Sequence, residues 1–342
     1  MHNIVQQFAT ANETGEIRPL KIGHINDSFI VESSVVNGAS YFLQKINHQI
    51  FKNVVGLQEN IRLVTDHLRH KLTVAGRSGI ERSVLQLVPT KSGLWFYQDA
   101  EGSFWRMYVN IENTHSYNVI TPELAYKAGE AFGNFQYMLS DISHNQLIET
   151  IPNFHNMEFR LEQFREAVSN NIAGRVAETK WMIDELEKRA DDMCLPQRLF
   201  RDGKLTKRIN HCDTKVNNLL FDENEEPICI VDLDTVMPGF VLSDFGDFMR
   251  TAANTGDEDD IDLKRIGVNM EVFEAYTRGY LKKANFLTPI ELDNLAFGAK
   301  LLSYMQTVRF FSDYLNGDTY YKIQSPQHNW QRTLAQFRLL QS

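Results

Sequence analysis

The first third of the chain alternates apolar and polar residues in the manner of short β-hairpins. Two hairpins are predicted from paired apolar runs around turn-like sequences: Ser28–Glu32 with Tyr41–Gln44 around Asn37-Gly38, and Leu94–Tyr97 with Phe104–Val109 around Asp99 to Gly102. Between the hairpins, residues 56–72 carry apolar side chains at helical spacing: Leu57, Ile61, Val64 and Leu68. This pattern predicts strands, one helix and then strands.

The spacing becomes helical from Pro122 onward. Pro122 and Glu123 begin a helical run through Leu139, with the proline in the first turn. Further helices are predicted over residues 157–169, 175–193, 268–284, 289–315 and 327–341. We therefore predict an α+β protein with a β-rich N-terminal nucleotide-binding lobe, residues 1–110, and a mainly helical C-terminal lobe, residues 111–342, which carries the catalytic and acceptor-binding functions.

Composition is that of a globular protein. The 342 residues are 43% hydrophobic, enough for one large core or two adjoining lobes. The N-terminus lacks the features of a secretion signal, and no stretch approaches the ~18 apolar residues of a membrane span. Three cysteines, Cys194, Cys212 and Cys229, fit neither a disulfide framework nor a zinc site. We predict a cytoplasmic location and no membrane partner.

The formal net charge of −9 makes nucleic acid an improbable partner. The densest acidic run, residues 257–262, is interpreted as a solvated loop without chemistry. Small molecules are the expected partners. The sequence leaves the oligomeric state open, and a monomer is compatible with it.

Candidate chemistry is concentrated between Arg208 and Arg250. Asp213 stands two residues after His211, Asn218 follows five residues later, and an apolar run then ends at Asp232-Leu233-Asp234. Strands over residues 219–221 and 228–231 would form a hairpin that returns Asp232 to the side of Asn218. With Asp244-Phe245-Gly246-Asp247 downstream, the pattern is typical of a kinase-like phosphotransferase.

Phosphoryl transfer needs an oriented acceptor and neutralised charge rather than covalent help from the protein. Asp213 is expected to accept the hydrogen bond, and then the proton, of the attacking hydroxyl. Asn218 and Asp232 supply the hard oxygen ligands that Mg²⁺ prefers. Asp234 is either a second metal contact or a brace of the loop, and His211 is interpreted as a brace of the backbone.

Together with other stretches, these residues resemble the aminoglycoside phosphotransferase and choline kinase superfamily, and within it most closely the bacterial N-acetylhexosamine 1-kinases. The shared stretches are Gly23 to Asn26, Trp105-Arg106 with Tyr108, Ser116 to Asn118, Asp213 to Lys215 with Asn217-Asn218, Asp232 to Thr235 with Met237 to Gly239, Asp244 to Asp247, Arg309-Phe310 with Asp313 to Leu315, Gly317-Asp318 with Tyr320, and His328-Asn329.

The resemblance implies a protein-kinase-like two-lobed fold and ATP-dependent, Mg²⁺-dependent phosphorylation of the anomeric hydroxyl of N-acetylglucosamine or N-acetylgalactosamine. It implies Asp213 as the base, with Asn218 and Asp232 as metal ligands. It also implies a sugar pocket, whose members in this sequence are His24, Arg309 and Tyr320, with Ile17 and Arg250 at neighbouring positions.

The nucleotide side is less specific in the sequence. Gly23 and Asn26 lie in the predicted turn between the first two strands, where backbone amides would cover the phosphates, although the G-x-G-x-x-G pattern is absent. Lys45 is either a phosphate ligand or a solvated strand lysine. The adenine is expected to lie against the backbone near Asn110 and Ile111.

Two alternatives remain open. An aminoglycoside or other small-alcohol phosphotransferase of the same fold would suit the acidic C-terminal part of the chain, but His24 and Arg309 at pocket positions argue against a polycationic acceptor. A nucleotide-binding pseudokinase would be expected to lack one of Asp213, Asn218 and Asp232, and all three are present.

Overall fold

The structure, a computed structural model, describes residues 1–20 and 25–342. Its strands are β1 (Thr14–Leu20), β2 (Asp27–Ser33), β3 (Tyr41–Ile46), β4 (Tyr97–Gln98), β5 (Phe104–Val109), β6 (Arg208–Asn210), β7 (Leu219–Phe221), β8 (Pro227–Ile230) and β9 (Met237–Gly239). Its helices are α1 (His2–Val5), α2 (Val54–Val74), α3 (Ile80–Ser83), α4 (Pro122–Leu139), α5 (Met157–Asn170), α6 (Lys180–Met193), α7 (Leu195–Arg201), α8 (Val241–Ala252), α9 (Met270–Lys283), α10 (Pro289–Asn294), α11 (Phe297–Leu315) and α12 (His328–Gln341). Within these residues, no helix is both long and apolar enough to cross a membrane.

The chain forms two compact units, each built from discontinuous segments. The first unit comprises residues 1–116, 145–152 and 218–237, and the second comprises residues 117–144, 153–217 and 238–342. The first unit contains the five-stranded antiparallel sheet and the second is mainly helical, so the predicted α+β class is confirmed. The functional division into lobes of residues 1–110 and 111–342 stays a prediction.

The first unit is built on an antiparallel sheet with the strand order β1-β2-β3-β5-β4. Alternate residues of its strands, such as Val31, Leu43 and Met107, face one apolar core, as the period-two pattern predicts. Both predicted hairpins are confirmed. The strand predicted over Leu94–Tyr97 is shorter, however, because Leu94 closes a tight turn in which its carbonyl accepts a hydrogen bond from Thr90 N at 2.7 Å.

Helix α2 fastens two distant segments to the first unit. It begins after Asn53, whose side chain accepts a hydrogen bond from Gly56 N at 2.9 Å. In its buried face, Asn60 Nδ2 donates to the carbonyls of Ile148 at 2.9 Å and Val236 at 3.0 Å. The buried Asn60 side chain therefore anchors residues 145–152 and 218–237 by hydrogen bonds. The second of these segments includes Asn218 and Asp232.

The second unit is helical, and α11 lies at its centre against α5, α8 and α12. Helices α4 and α9 approach so closely that a Cβ atom on Gly279 would lie 2.0 Å from the carbonyl oxygen of Tyr126. Glycine is therefore required sterically at this crossing. The predicted helices over residues 122–139, 157–169, 268–284 and 327–341 are confirmed by α4, α5, α9 and α12.

Two helix predictions were wrong in part, and helix α8 was missed. The run predicted over residues 175–193 becomes helical only at Lys180, because residues 171–179 form turns that begin with left-handed Asn171 and Gly174. The run predicted over residues 289–315 is two helices, and at the break the Asn294 side chain donates to Ile290 O at 2.8 Å. In helix α8, residues 241–250 are all buried although four of them are polar or charged.

The acidic run at residues 257–262 is more than a solvated loop. Glu258 forms an ion pair with Arg250 at 2.7 Å, and Asp259 lies 2.9 Å from His328 Nε2. Asp260 pairs with Arg265 at 3.3 Å. Glu258 and Asp259 therefore fasten the run to α8 and α12, a result of tertiary contacts that a charge count along the sequence could not predict.

Candidate active site

Within the second unit, Asp244 of α8 holds the loop that carries Asp213. The Asp244 carboxylate accepts hydrogen bonds from the backbone N–H groups of His211 at 2.7 Å and Cys212 at 2.8 Å, and from Gln136 Nε2 at 2.6 Å. Burial raises the pKa of Asp244 to about 6, although these hydrogen bonds favour its charged form. Cys212 adopts a left-handed φ of 62°, so the loop is bent as well as braced.

Asp213 itself lies at the partly exposed edge of this loop. Its backbone N–H donates to His211 Nδ1 at 3.3 Å, which agrees with the interpretation of buried His211 as a brace. Its carboxylate lies 3.1 Å from Lys215 Nζ, and this carboxylate raises the pKa of Lys215. The arrangement is a carboxylate on a fixed backbone with access to solvent, which suits a group that must accept a proton from a bound hydroxyl.

Asn218 and Asp232 meet at the base of the β7–β8 hairpin, within the first unit. Leu219 pairs with Ile230, and Val231 N–H donates to the carbonyl of Asn218 at 2.9 Å, so the predicted hairpin is confirmed. Asp232 comes next and has a left-handed φ of 59°, a conformation that costs about 1 kcal/mol for a residue with a side chain. The turn at Asp232 directs the chain into the short 3₁₀ turn Leu233–Thr235.

Asp234, in that turn, is buried with only 2% of its surface exposed. One carboxylate oxygen forms an ion pair with Arg106 of β5, and the other accepts a hydrogen bond from Asn26 Nδ2 at 2.7 Å. Because protein groups engage both oxygens, the contacts favour the brace over the metal contact for Asp234. Its role toward a metal stays a prediction.

Arg106 is a residue whose part in the site the sequence analysis missed. It is 1% exposed, and its guanidinium also donates to Gln44 Oε1 at 3.0 and 2.7 Å. Burial alone would lower the pKa of Arg106, but the Asp234 carboxylate outweighs burial and raises it. The available signal was a lone arginine within the otherwise apolar strand Phe104–Val109.

The donor set is compatible with Mg²⁺ held jointly by protein, nucleotide and water. Among residues 1–20 and 25–342, no group of three or more His, Cys, Asp and Glu side chains could hold a metal ion alone. Mg²⁺ commonly takes one or two protein oxygens and completes its shell with phosphate and water. The amide oxygen of Asn218 and the carboxylate of Asp232 fit that requirement.

The residues predicted for the nucleotide are distributed over the first unit. Gly23 lies outside the described residues. Asn26 holds Asp234, and its side-chain oxygen accepts a hydrogen bond from Asn47 N at 2.9 Å. Lys45 of β3 has its Nζ atom 5.8 Å from the centroid of the Trp105 ring. Neither arrangement decides the predicted phosphate contacts.

The predicted adenine position lies just after β5. Asn110 N–H donates to Ser40 O at 3.0 Å, and the Ile111 carbonyl accepts a hydrogen bond from Thr114 Oγ1 at 2.9 Å. Glu59 of the neighbouring α2 is exposed and pairs with Arg62 at 2.8 Å. The nucleotide contacts of Asn110 and Ile111 stay predictions.

Two residues predicted for the sugar pocket line one cleft of the second unit. The cleft has a volume of about 200 Å³, and both Arg309 and Tyr320 contribute to its wall. Arg250, in contrast, is buried in ion pairs with Asp247 at 2.9 Å and with Glu258. His24 lies outside the described residues. Ile17 packs against the apolar core of the first unit.

Buried Asp313 fixes the loop that carries Tyr320. Its Oδ1 atom accepts hydrogen bonds from the backbone N–H groups of Thr319 at 2.9 Å and Tyr320 at 2.8 Å. Its Oδ2 atom accepts from Tyr321 N at 3.0 Å and Asn329 Nδ2 at 2.8 Å. The side chain at position 320 therefore projects from a backbone with little freedom.

Phe154, His155 and Arg160, which the sequence analysis did not single out, form a second group beside Arg309. The Arg309 guanidinium lies 5.1 Å from the Phe154 ring centroid, and His155 stacks on the same phenyl ring at 4.5 Å. Arg160 lines the cleft and donates to the Phe154 carbonyl at 2.9 and 3.2 Å. No sequence motif points to these residues.

His155 gives a pH-dependent prediction. Burial and the positive charge of Arg309 and Arg160 lower its pKa to about 3 from an ordinary 6.5. Below pH 6.5 the unfolded chain binds a proton there that the folded protein does not, so acidification destabilises the fold. Between pH 7 and 5, the free energy of unfolding in urea should fall by roughly 2 kcal/mol more for wild type than for His155→Gln. An identical pH dependence in both proteins would contradict the neutral imidazole.

Comparison with known proteins identifies the family. Residues 16–286 match the model of the phosphotransferase enzyme family. An aminoglycoside phosphotransferase from Alicyclobacillus acidocaldarius is 10% identical, with a TM-score of 0.63 over 99% of this chain and 91% of that one.

Two further solved structures have similar folds. A spectinomycin phosphotransferase in complex with ADP and spectinomycin is 14% identical, with a TM-score of 0.59 over 98% of this chain and 97% of that one. A microcompartment-associated aminopropanol kinase is 14% identical, with a TM-score of 0.57 over 99% and 95%. These likenesses confirm the predicted kinase-like fold. Because the family match at residues 16–286 spans more than half of the sequence, the chain belongs to the phosphotransferase enzyme family.

Proposed function

We propose that this phosphotransferase transfers phosphate from ATP to the anomeric hydroxyl of an N-acetylhexosamine and produces the sugar 1-phosphate. The observation that carries the proposal is the cleft shared by Arg309 and Tyr320, in the same unit as Asp213. The resemblance to sugar 1-kinases had assigned both residues to the sugar from positions far from the Asp213 loop in sequence. Their convergence supports an acceptor pocket.

Asp213 would accept the proton of the anomeric hydroxyl as its oxygen attacks the γ-phosphate. The partners of the loop backbone, Asp244 and His211, keep the carboxylate oriented before substrate binds, which removes part of the entropic barrier. Lys215, paired with Asp213, is available to compensate charge that develops nearby.

Asn218 and Asp232 would hold Mg²⁺, which supplies charge neutralisation at the nucleotide phosphates when it is bound. The backbone hydrogen bond between Val231 and Asn218 keeps the two residues at one end of the hairpin. Asp234 would act through the position of Asp232, since Arg106 and Asn26 fix the turn that follows it.

The chemistry of the cleft is that of a sugar site. A guanidinium and a phenol offer hydrogen-bond donors and acceptors to hydroxyl and acetamide groups, and the Tyr321 ring in the wall offers apolar surface. One N–H group of the Arg309 guanidinium donates to Gln306 Oε1 at 3.1 Å, so its other N–H groups can donate hydrogen bonds to a ligand. The positive charge disfavours polycationic acceptors, which argues against an aminoglycoside substrate.

A panel of acceptors tests the proposal directly. N-acetylglucosamine, N-acetylgalactosamine, kanamycin, spectinomycin and aminopropanol would be incubated with ATP and Mg²⁺, and the products identified by phosphorus NMR. We expect anomeric phosphate on an N-acetylhexosamine. Phosphate on a 6-hydroxyl would refute the 1-kinase assignment, and turnover of the amino alcohols or antibiotics alone would replace the sugar as acceptor.

Substitution of Arg309 by Ala should impair use of the sugar more than use of ATP. Loss of one or two charge-assisted hydrogen bonds predicts a fall of roughly 10- to 100-fold in kcat/KM for the sugar, with the KM for ATP within about twofold of wild type. Steady-state kinetics with each substrate varied in turn would measure both. Arg278→Ala, on the exposed face of α9, is the matched control. An equal loss for both substrates would count against this placement of Arg309.

A further inference from the structure

We propose that the cleft binds an anionic group, a carboxylate or a phosphate, carried by the acceptor sugar on the part of the molecule away from the hydroxyl that reacts. The inference deepens the proposed function and rests on it for the identity of the acceptor. It names an acidic or phosphorylated N-acetylhexosamine as the preferred substrate class.

Two guanidinium groups meet at one side of the cleft without a carboxylate between them. Arg160 of α5 donates both to the Phe154 carbonyl and to Gln163 Oε1 at 2.8 Å. Arg309 of α11 contacts the ring of the same phenylalanine and donates to Gln306. All of these partners are neutral. Two neighbouring positive charges that are partly removed from water repel each other and destabilise the protein unless an anion joins them.

Four other arginines with little exposure in the described part of the chain form ion pairs, whereas Arg332 donates to the Lys322 carbonyl at 3.3 Å and to Asn329 Oδ1 at 3.5 Å. Arg106 pairs with Asp234, and Arg250 pairs with Asp247 and Glu258. Arg208 contacts Glu291 at 2.7 Å, and Arg175 contacts Asp318 at 2.6 Å. In these four cases the fold supplies a carboxylate to the arginine that it holds. The cleft differs because two arginines without an ion pair lie there together, so that their charges add.

The one carboxylate in the cleft wall does not neutralise this pair. Asp313 directs its two oxygens to three backbone N–H groups and to Asn329. The pKa of Arg160 agrees with this lack of neutralisation, because burial and the charge of Arg309 lower it to about 10. The groups that act to raise this pKa are Tyr321 and Tyr320, not carboxylates. Arg160 is still protonated at neutral pH, so the cleft presents two positive charges.

A third polar group, His155, contacts the same Phe154 ring as Arg309 and has one nitrogen without a partner. The Nδ1 atom of His155 is buried and has no hydrogen-bond partner among residues 1–20 and 25–342. A buried ring nitrogen without a partner is rare and is expected where a ligand completes the contact. The imidazole is close enough to Asp213 and Arg309 for both charges to act on it.

The volume of the cleft agrees with a small ligand. At about 200 Å³ it is below the roughly 300–1,000 Å³ typical of sites for drug-sized molecules. Guanidinium forks match the planar oxygens of carboxylate and the tetrahedral oxygens of phosphate, and both groups accept such bonds with high strength. A sugar with one acidic substituent uses both the charge and the hydroxyl-binding groups of the site.

The test compares acceptors that differ only at carbon 6: N-acetylglucosamine, its 6-uronic acid and its 6-phosphate. We expect kcat/KM to be at least roughly tenfold higher for an anionic sugar than for the neutral one, a difference of ~1.4 kcal/mol. In Arg160→Gln that ratio should fall by about the same factor. Arg160→Lys, which keeps the charge, should retain most of the ratio, and Arg278→Gln should not change it.

A ratio near one in wild type, or a ratio that Arg160→Gln leaves unchanged, would overturn the inference and leave the 1-kinase proposal standing. Calorimetric titration with inorganic phosphate, with ADP occupying the nucleotide site, tests the anion subsite independently of the 1-kinase proposal. If no hexosamine is phosphorylated, the proposed function fails, and saturable phosphate binding weakened at least ~tenfold by Arg160→Gln still supports an anion subsite. Absence of that binding removes the subsite as well.

Discussion

Asp213→Asn should bind ATP nearly as well as the wild-type protein and lose most of its turnover. General base catalysis contributes roughly 10²- to 10⁴-fold, and an amide cannot accept the proton of the attacking hydroxyl. The backbone contacts that shape the loop run through Asp244 and the His211 ring and do not use the Asp213 carboxylate. The substitution should therefore change the chemical step and leave the fold intact.

Kinetics and nucleotide binding, measured on the same preparation, test this prediction. We expect kcat to fall by about 10²- to 10⁴-fold, with the Kd of ATP within about twofold of wild type. Asp293→Asn, which replaces an exposed carboxylate on α10, is the control and should behave as wild type. Turnover close to wild type in Asp213→Asn would remove this residue as the base.

Arg106→Met should be the most destabilising of the substitutions considered. Methionine has a similar length but leaves the Asp234 carboxylate buried without its ion pair, and breaking a buried pair by removal of one partner costs about 3–5 kcal/mol. Gln44 would lose its donors at the same time. The predicted consequence is a large shift of the urea midpoint to lower concentration.

Two further variants separate burial from charge. Arg62→Met breaks an exposed ion pair with Glu59 and should cost less than about 1 kcal/mol. Arg106→Met combined with Asp234→Leu removes both buried charges and should recover much of the lost free energy of unfolding. A single Arg106→Met variant within about 1 kcal/mol of wild type would show that the pair does not hold this part of the first unit together.

How much of the fold could be read from the sequence depended on how clearly each element separates a buried face from an exposed one. Helices α2 and α4 separate the two, and the apolar spacing predicted both. Helix α8 is buried along residues 241–250, including Asp244, Asp247 and Arg250. Its apolar and polar residues do follow a helical period, but its polar side chains contact one another and the Asp213 loop instead of solvent. The helix was missed because Asp244 to Asp247 was interpreted only as part of the catalytic motif.

The residues of the candidate site also differ in whether the sequence could predict their roles. Local order along the chain was enough to select Asp213, Asn218 and Asp232 and to predict the β7–β8 hairpin, because turns and strand pairs of this length are specified by neighbouring residues. The brace at Asp234 required Arg106 from a strand far away in sequence. No local sequence pattern links these two residues, because only the packing of the sheet against the loop brings them together.

By itself, the sequence determined the α+β class, the principal helices and hairpins and the loop with the chemistry of phosphoryl transfer, because each depends on short-range periodicity or on a compact motif. Only the tertiary structure decided which charges are compensated. It joined Asp234 to Arg106 and Glu258 to Arg250, and it left Arg160 beside Arg309 with neutral partners. Compensation depends on distances across the fold rather than along the chain, so the anion subsite became apparent only in three dimensions.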